Sequence, residues 1–263
     1  MSYTAIRYAA SDGVATITLA RPDKLNAISA VMHADLRGAL DAAESDASVN
    51  CLVITGEGRA FSSGQDLTEE RLAGPDGKID FGGRLDRDYN PLALRLFAYP
   101  KVTIAALNGP AVGAAANLAL ACDMLVAARS AYLQEAFARI ALVPDAGGTW
   151  FLPRIVGPKL ALALMLTAEQ VPADELHRMG IVYKVYPDAE FRSEAMGLAR
   201  RLAAGPSQTF RLIKQAVRES GENDLRRQLD LERDLQRVAG ASRDSAEGIA
   251  AFREKRPARF EGR

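Results

Sequence analysis

Three short, continuous and almost wholly apolar runs constrain this chain more than anything else in it. They are Cys51-Leu52-Val53-Ile54-Thr55, Val102-Thr103-Ile104-Ala105-Ala106-Leu107 and Met124-Leu125-Val126-Ala127-Ala128. None alternates apolar with polar residues, so each reads as a strand covered on both faces, the habit of parallel sheets. Helical patterns lie before and between them. One starts at Ser29, a fair N-cap, with Val31, Leu36 and Leu40 as its apolar face; another runs through Leu92, Leu96 and Phe97 and stops at Pro100. Strands alternating with helices at this spacing predict an α/β domain with largely parallel pairing. Ahead of them, residues 3–9 and 14–20 form a predicted hairpin across Ser11-Asp12-Gly13.

Two stretches break this rhythm. Residues 67–90 are rich in Asp, Glu, Arg and Gly without periodicity, which predicts a long functional loop. From about residue 200 only helical patterns remain, through Phe210, Ile213 and Val217, then Leu225, Leu229, Leu235 and Val238. The expected organisation is a core over 1–200 and a helical region over 201–263. Such helices cover either a partner subunit or their own core, and the pattern does not choose.

The bulk numbers exclude several classes. Lys+Arg and Asp+Glu are equal at 33 each, which argues against nucleic acid or an anionic membrane surface as a partner. Residues 110–128 are the most apolar stretch, but Asn117 and Asp123 interrupt it and it is marginal for the roughly 20 residues of a span. No signal segment is readable at the N-terminus. Cys51 and Cys122 lie in apolar runs and match no metal spacing, as expected of inert core thiols in a cytoplasmic protein. His33 and His177 sit on predicted helices without partner motifs, so no metal site is expected.

The chemistry concentrates where two strands end. One end is Ile54-Thr55-Gly56-Glu57-Gly58-Arg59-Ala60-Phe61-Ser62-Ser63-Gly64-Gln65-Asp66-Leu67. The other runs from Ala106 through Asn108-Gly109-Pro110-Ala111-Val112-Gly113-Ala114 to Ala119. Small residues there allow close approach of a ligand, and amides near Gly113 and Ala114 would sit at a helix N-terminus where negative charge is favoured. Two converging amides make an oxyanion hole; two tight packing turns would look the same in sequence. Competing motifs fail: Phe61 stands where a dinucleotide fingerprint needs its third Gly, and no phosphate-binding or Gly-x-Ser-x-Gly motif occurs.

At these turns the chain resembles the crotonase superfamily, and the likeness spans nearly its whole length. It is carried by Leu19-Ala20-Arg21-Pro22-x-Lys24-x-Asn26-Ala27, Gly58-Arg59-Ala60-Phe61-x-x-Gly64-x-Asp66-Leu67 and Asn108-Gly109-x-Ala111-x-Gly113. Leu118 to Asp123, Leu142-Val143-Pro144-Asp145-x-Gly147-Gly148-Thr149 and Glu247-Gly248-x-x-Ala251-Phe252-x-Glu254-Lys255-Arg256 extend it. The resemblance implies a crotonase-like spiral of ββα units with a C-terminal helical trimerisation region, assembled as a homotrimer or hexamer. It implies an acyl-CoA thioester substrate and no separate cofactor, coenzyme A being part of the substrate. It assigns the oxyanion hole to the backbone N–H groups of Gln65 and Ala114. Coenzyme A contacts fall on Lys24, Leu25, Gln65, Asp66 and Leu67, and on Phe252 and Lys255 from a neighbouring subunit. Without the resemblance, both lysines read as solvated surface charge.

The departures from the family pattern are specific. Hydratases of the family use two glutamates, and the matching positions here hold Asn117 and Phe137. Neither can exchange a proton at neutral pH, so the two-carboxylate hydration mechanism lacks its parts. Glu135, two residues from Phe137, shares its face if that segment is extended. Asp145 lies where several isomerases of the superfamily carry their acid/base; it could also be a helix N-cap. A pocket walled by Phe137, Trp150 and Phe151 would raise its pKa. One carboxylate suffices for a 1,3-proton shift, so an acyl-CoA isomerase is expected. The segments Tyr89-Asn90-Pro91-Leu92, Gln134-x-Ala136-Phe137-Ala138 and Gly148-Thr149-Trp150-Phe151-Leu152-Pro153-Arg154 are similar to the branch that rearranges ring epoxides of phenylacetyl-CoA. Trp150 and Phe151 fit a cyclic acyl group there, or serve as ordinary core aromatics. The alternatives are a hydratase using another carboxylate and a non-catalytic acyl-CoA binder.

Overall fold

The hairpin forms as expected: β1, Ile6–Ser11, pairs antiparallel with β2, Val14–Leu19. Asp12 and Gly13 at its tip have φ of 52° and 77°, the paired positive values of a turn whose twist matches its strands. These coordinates are a computed structural model describing residues 3–69 and 80–262. Helix α1, Ala30–Ser45, starts at the expected cap, with the Met32 amide donating to Ser29 Oγ at 3.1 Å. Its buried face carries Met32, Leu36 and Leu40, whereas Val31 is 49% exposed. The helical period places Met32, Leu36, Ala39 and Leu40 on one side, and Val31 lies a third of a turn off that stripe.

The three apolar runs become β3, Cys51–Gly56, then β4, Val102–Leu107, with β6, Met124–Ala128, beyond it. Between β3 and β4 lie α2, Phe81–Arg84, a π-helical turn over Leu85–Tyr89, and α3, Asn90–Ala98. The loop expected over 67–90 is thus helical from Phe81 onward, and 70–79 lie outside the described residues. Asp80 explains the early start, since its carboxylate accepts from the Gly83 amide at 2.8 Å and caps α2. Periodicity was hidden because Asp88 and Tyr89 are buried inside a π-turn, which breaks the 3.6-residue register.

After β4 come β5, Ala111–Val112, and α4, Ala114–Leu120, every residue of which is buried. Following β6, β7 spans Tyr132–Gln134 and a 3₁₀ turn spans Ala136–Ile140. Next are α5, Gly148–Val156, α6, Pro158–Thr167, β8, Val171–Pro172, α7, Ala173–Arg178, β9, Lys184–Tyr186, and α8, Phe191–Ala203. One sheet has the order β1-β2-β3-β4-β6-β9 and is parallel from β2 onward; the second has β5-β7-β8. Helix α8 packs on the first sheet, and α4 is enclosed between the sheets and α5.

The chain closes with α9, Ser207–Glu219, α10, Leu225–Gly240, and α11, Arg243–Glu254. On α9, Leu212 turns inward while Ile213 and Val217 face outward, joined outside by Leu225 and Leu229 of α10. Their apolar faces are therefore left uncovered by their own chain. No helix among the described residues is long and apolar enough to cross a membrane.

Candidate active site

The two glycine-bounded strand ends lie side by side because buried polar groups tie them together. Ser62 and Ala111 form a parallel bridge, with Ser62 N donating to Pro110 O at 3.1 Å and Val112 N to Ser62 O at 3.0 Å. Asn108 accepts from Gly56 N at 2.9 Å and donates to Gly58 O and Ala60 O. Fully buried Asn26 donates to Glu57 O and Ala60 O, while the Ser62 hydroxyl donates to Asn26 O at 2.7 Å. Each amide and hydroxyl replaces a backbone partner that the irregular loops cannot supply.

This frame sets two amides on one cavity. Ile28 pairs with Gln65 such that Ile28 N donates to Gly64 O and Asp66 N to Ile28 O. The Gln65 N–H therefore points away from that strand partner, toward the cavity. Ala114 N is the first amide of α4 and, like Gln65 N, has no acceptor among the described residues. The two segments nearly touch: a Cβ on Gly64 would lie 2.7 Å from Val112 O and 3.7 Å from Ala114 N. With φ of 87°, Gly64 also occupies backbone space that side chains disfavour. Both amides open on a cavity of about 270 Å³, lined also by Leu67, Phe81, Leu85, Phe137 and Asp145.

Among the described residues lining that cavity, Asp145 is the only carboxylate. It does not cap α5 with its side chain; Gly147 is the cap, and Gly148 N donates to the Asp145 carbonyl at 2.9 Å. Its Oδ1 has no hydrogen-bond partner among the described residues, and burial pushes its pKa up from 3.8 to about 6. Phe137 lies against the cavity and beneath Gly113. Asn117, wholly buried on α4, donates Nδ2 to the Asp145 carbonyl at 2.8 Å and to Glu135 Oε2 at 3.4 Å. Glu135 does not share Phe137's face: the chain leaves β7 at Gln134 and coils at once into the 3₁₀ turn. Its side chain is buried behind Asn117, away from the cavity lining.

Trp150 and Phe151 do not wall this cavity. They stack edge-on with each other and with Phe97 around a separate apolar hollow lined by Asn90, Ala93 and Leu94. The reason is helical: α5 begins at Gly148, so residues after it rotate away from Asp145. Arg154 lies 3.9 Å over the Trp150 ring.

The expected coenzyme A contacts divide into two places. Lys24 and Leu25 border the oxyanion segment, with Ser63 N donating to Leu25 O at 2.9 Å. Leu67 lines the cavity, whereas the Asp66 carboxylate is turned to Arg21 at 2.9 Å. Burial alone would raise Asp66, but hydrogen bonds from Thr68 and Arg21 outweigh it and hold the pKa at about 2. Phe252, 85% exposed, and Lys255 lie at the end of α11. Two further residues had no local sequence signal. With its amide oxygen facing Arg84, Gln65 accepts bonds of 2.7 and 3.0 Å, and Arg84 also pairs with Glu69. Tyr89 is fully buried, its hydroxyl without a partner among the described residues; burial first, then the Asp145 charge, raises its pKa.

Two parallel strands thus end in amides without a described acceptor, over a cavity whose described lining carries one carboxylate, and the chain belongs to the enoyl-CoA hydratase/isomerase family, whose model matches residues 9–263. It therefore has the crotonase fold and is an enzyme of that superfamily acting on coenzyme A thioesters. It is 45% identical to the 1,2-epoxyphenylacetyl-CoA isomerase of Escherichia coli K12 over 251 residues, 95% of this chain and 96% of that one. It is also 45% identical to a Rhodobacter capsulatus protein described as "Probable enoyl-CoA hydratase", over the full length of both. A solved enoyl-CoA hydratase subunit from Geobacillus kaustophilus superposes with a TM-score of 0.90 at 37% identity, covering 99% of each chain.

Proposed function

We propose that this protein is an acyl-CoA isomerase in which Asp145 moves the proton and the Gln65 and Ala114 amides hold the thioester oxygen. The observation that carries this is that Asp145 is the one carboxylate among the described residues lining the cavity, while the two hydratase positions hold Asn117 and Phe137. Ionised Asp145 takes a proton from one carbon of the acyl group. Charge moves to the carbonyl oxygen, where preorganised amides are worth most in a dry site. The same carboxyl then returns the proton to the carbon two positions away. Coenzyme A enters as part of the substrate, with no separate cofactor, over Lys24, Leu25 and the 65–67 backbone. Phe252 and Lys255 complete its site from a neighbouring copy in a homotrimer or hexamer of a cytoplasmic enzyme.

The finer substrate we assign is 2-(1,2-epoxy-1,2-dihydrophenyl)acetyl-CoA, converted to its oxepin form, with a 3-to-2 enoyl shift as a second activity. The E. coli relative named for that substrate supports it. A hydratase is the second reading, favoured by the full-length R. capsulatus relative. The discriminating experiment supplies ring-epoxide, 3-enoyl and 2-enoyl thioesters separately. Isomerisation of the first two, reduced roughly 10²–10⁴-fold by Asp145→Asn, is the expected result. Fast hydration of the 2-enoyl thioester that survives Asp145→Asn would replace this reading with the hydratase.

A further inference from the structure

We propose that Glu135 is held as a neutral carboxylic acid that locks the Asn117 amide, and through it the Asp145 segment, so that it is a positioning residue for the acid/base. This rests on the reading of Asp145 given above. Asn117 is the hinge of the argument. Its Nδ2 holds the Asp145 carbonyl at 2.8 Å and reaches Glu135 Oε2 at 3.4 Å, while its Oδ1 has no partner among the described residues. Glu135 Oε1 is the other buried atom of this pair without a partner among them. Beside an ionised carboxylate, both of these buried acceptors stay without a donor. A proton on Glu135 removes both orphans at once, because the acid O–H donates to Asn117 Oδ1 while Nδ2 donates to the other oxygen. That paired ring is the complement an amide and a carboxylic acid offer each other.

The surroundings favour the neutral acid. Glu135 is 1% exposed and Asn117 0%. The charged group whose field reaches Glu135 is Asp145 itself, a like charge. Burial first, and then Asp145, push Glu135 up to about 7 against the Asn117 bond that favours ionisation. Asn117 has no freedom to swing away: a Cβ on Gly148 would lie 2.3 Å from its Nδ2 and 2.4 Å from its Oδ1. When Glu135 ionises, the ring opens and a second negative charge appears behind the site where the substrate's own anion forms. Loss of Glu135's proton therefore lowers turnover above neutral pH, while loss of Asp145's proton is needed for turnover.

Two measurements test this. Infrared difference titration of the ligand-free protein follows the protonated-carboxyl carbonyl band, assigned by its loss in Glu135→Gln. A band persisting at pH 6 is expected; a Glu135 already ionised there overturns the proposal whatever the enzyme catalyses. The second is the pH profile of isomerase kcat/KM. Glutamine can form the same paired ring without titrating, so Glu135→Gln should keep the neutral-pH rate within a few-fold and lose the alkaline limb. Glu135→Ala, which frees Asn117, should lower kcat about tenfold or more with KM little changed. A Glu135→Gln enzyme as impaired as Glu135→Ala, or one that keeps the wild-type alkaline limb, overturns it. If no isomerase activity exists, the infrared arm still decides the state of Glu135 while the functional reading falls separately.

Discussion

At the scale of single residues, the surroundings of Asp145 set two testable behaviours. As a base it must be ionised, so kcat/KM should rise with pH through about 6, the value to which burial has raised it. The same shift has a cost in stability. A carboxyl that is 3.8 when unfolded and about 6 when folded binds its proton more tightly in the folded chain. Stability from this group is then present below its unfolded pKa and lost as pH rises through the folded one. Asp145→Asn should therefore raise Tm by roughly a few degrees at pH 8 and leave it nearly unchanged at pH 4, while cutting turnover roughly 10²–10⁴-fold. Scanning calorimetry at the two pH values checks this; a variant equally stable or less stable at pH 8 contradicts it. Asp145 was legible in the sequence through the family resemblance, which places an acid/base on the loop between Pro144 and Gly147-Gly148. Its partners were not, since Asn117, Glu135 and Tyr89 reach it only through the fold.

At the scale of elements, the oxyanion frame depends on backbone geometry that few residues adopt. Gly64 has φ of 87° and would bring a Cβ to 2.7 Å from the Val112 carbonyl. Gly64→Ala should cost at least about 1–3 kcal/mol of backbone strain and, by moving the Gln65 amide, far more activity than stability. Denaturant melts alongside kcat/KM separate the two effects. Arg84 connects α2 to Gln65 and Glu69, so Arg84→Ala should leave the fold intact and weaken catalysis about tenfold or more through the mispositioned Gln65 segment. Unchanged kcat/KM would show that the connection is ornamental. The elements themselves were mostly readable: the apolar runs gave the parallel strands, and Ser29 gave the α1 start. The helical stretch from Phe81 was not, because its cap, Asp80, sits in a charged and glycine-rich context and a π-turn scrambles its period.

At the scale of the whole molecule, the C-terminal helices leave Ile213, Val217, Leu225, Leu229 and Phe252 on the surface. Apolar side chains exposed together on adjoining helices are the pattern expected of an association face. The expected outcome is a trimer or hexamer by light scattering, reduced to smaller species by Val217→Asp. Phe252→Ala should raise KM for the thioester with less effect on kcat, because Phe252 is assigned to binding coenzyme A and lies far along the chain from Asp145. A monomeric native protein with full activity would contradict both.

Local sequence settled what depends on neighbours along the chain. Continuous apolar runs need two covered faces, alternating helices then force parallel pairing, and small residues at strand ends leave amides free. Tertiary structure alone decided where side chains converge. Trp150 turns away from Asp145 because α5 starts at Gly148, and Glu135 is carried behind Asn117 because β7 ends one residue earlier. A rotation of one residue about a helix, or one residue's change in where a strand stops, moves a side chain to a different face. Composition and spacing do not record that; the packing of α4 between two sheets does.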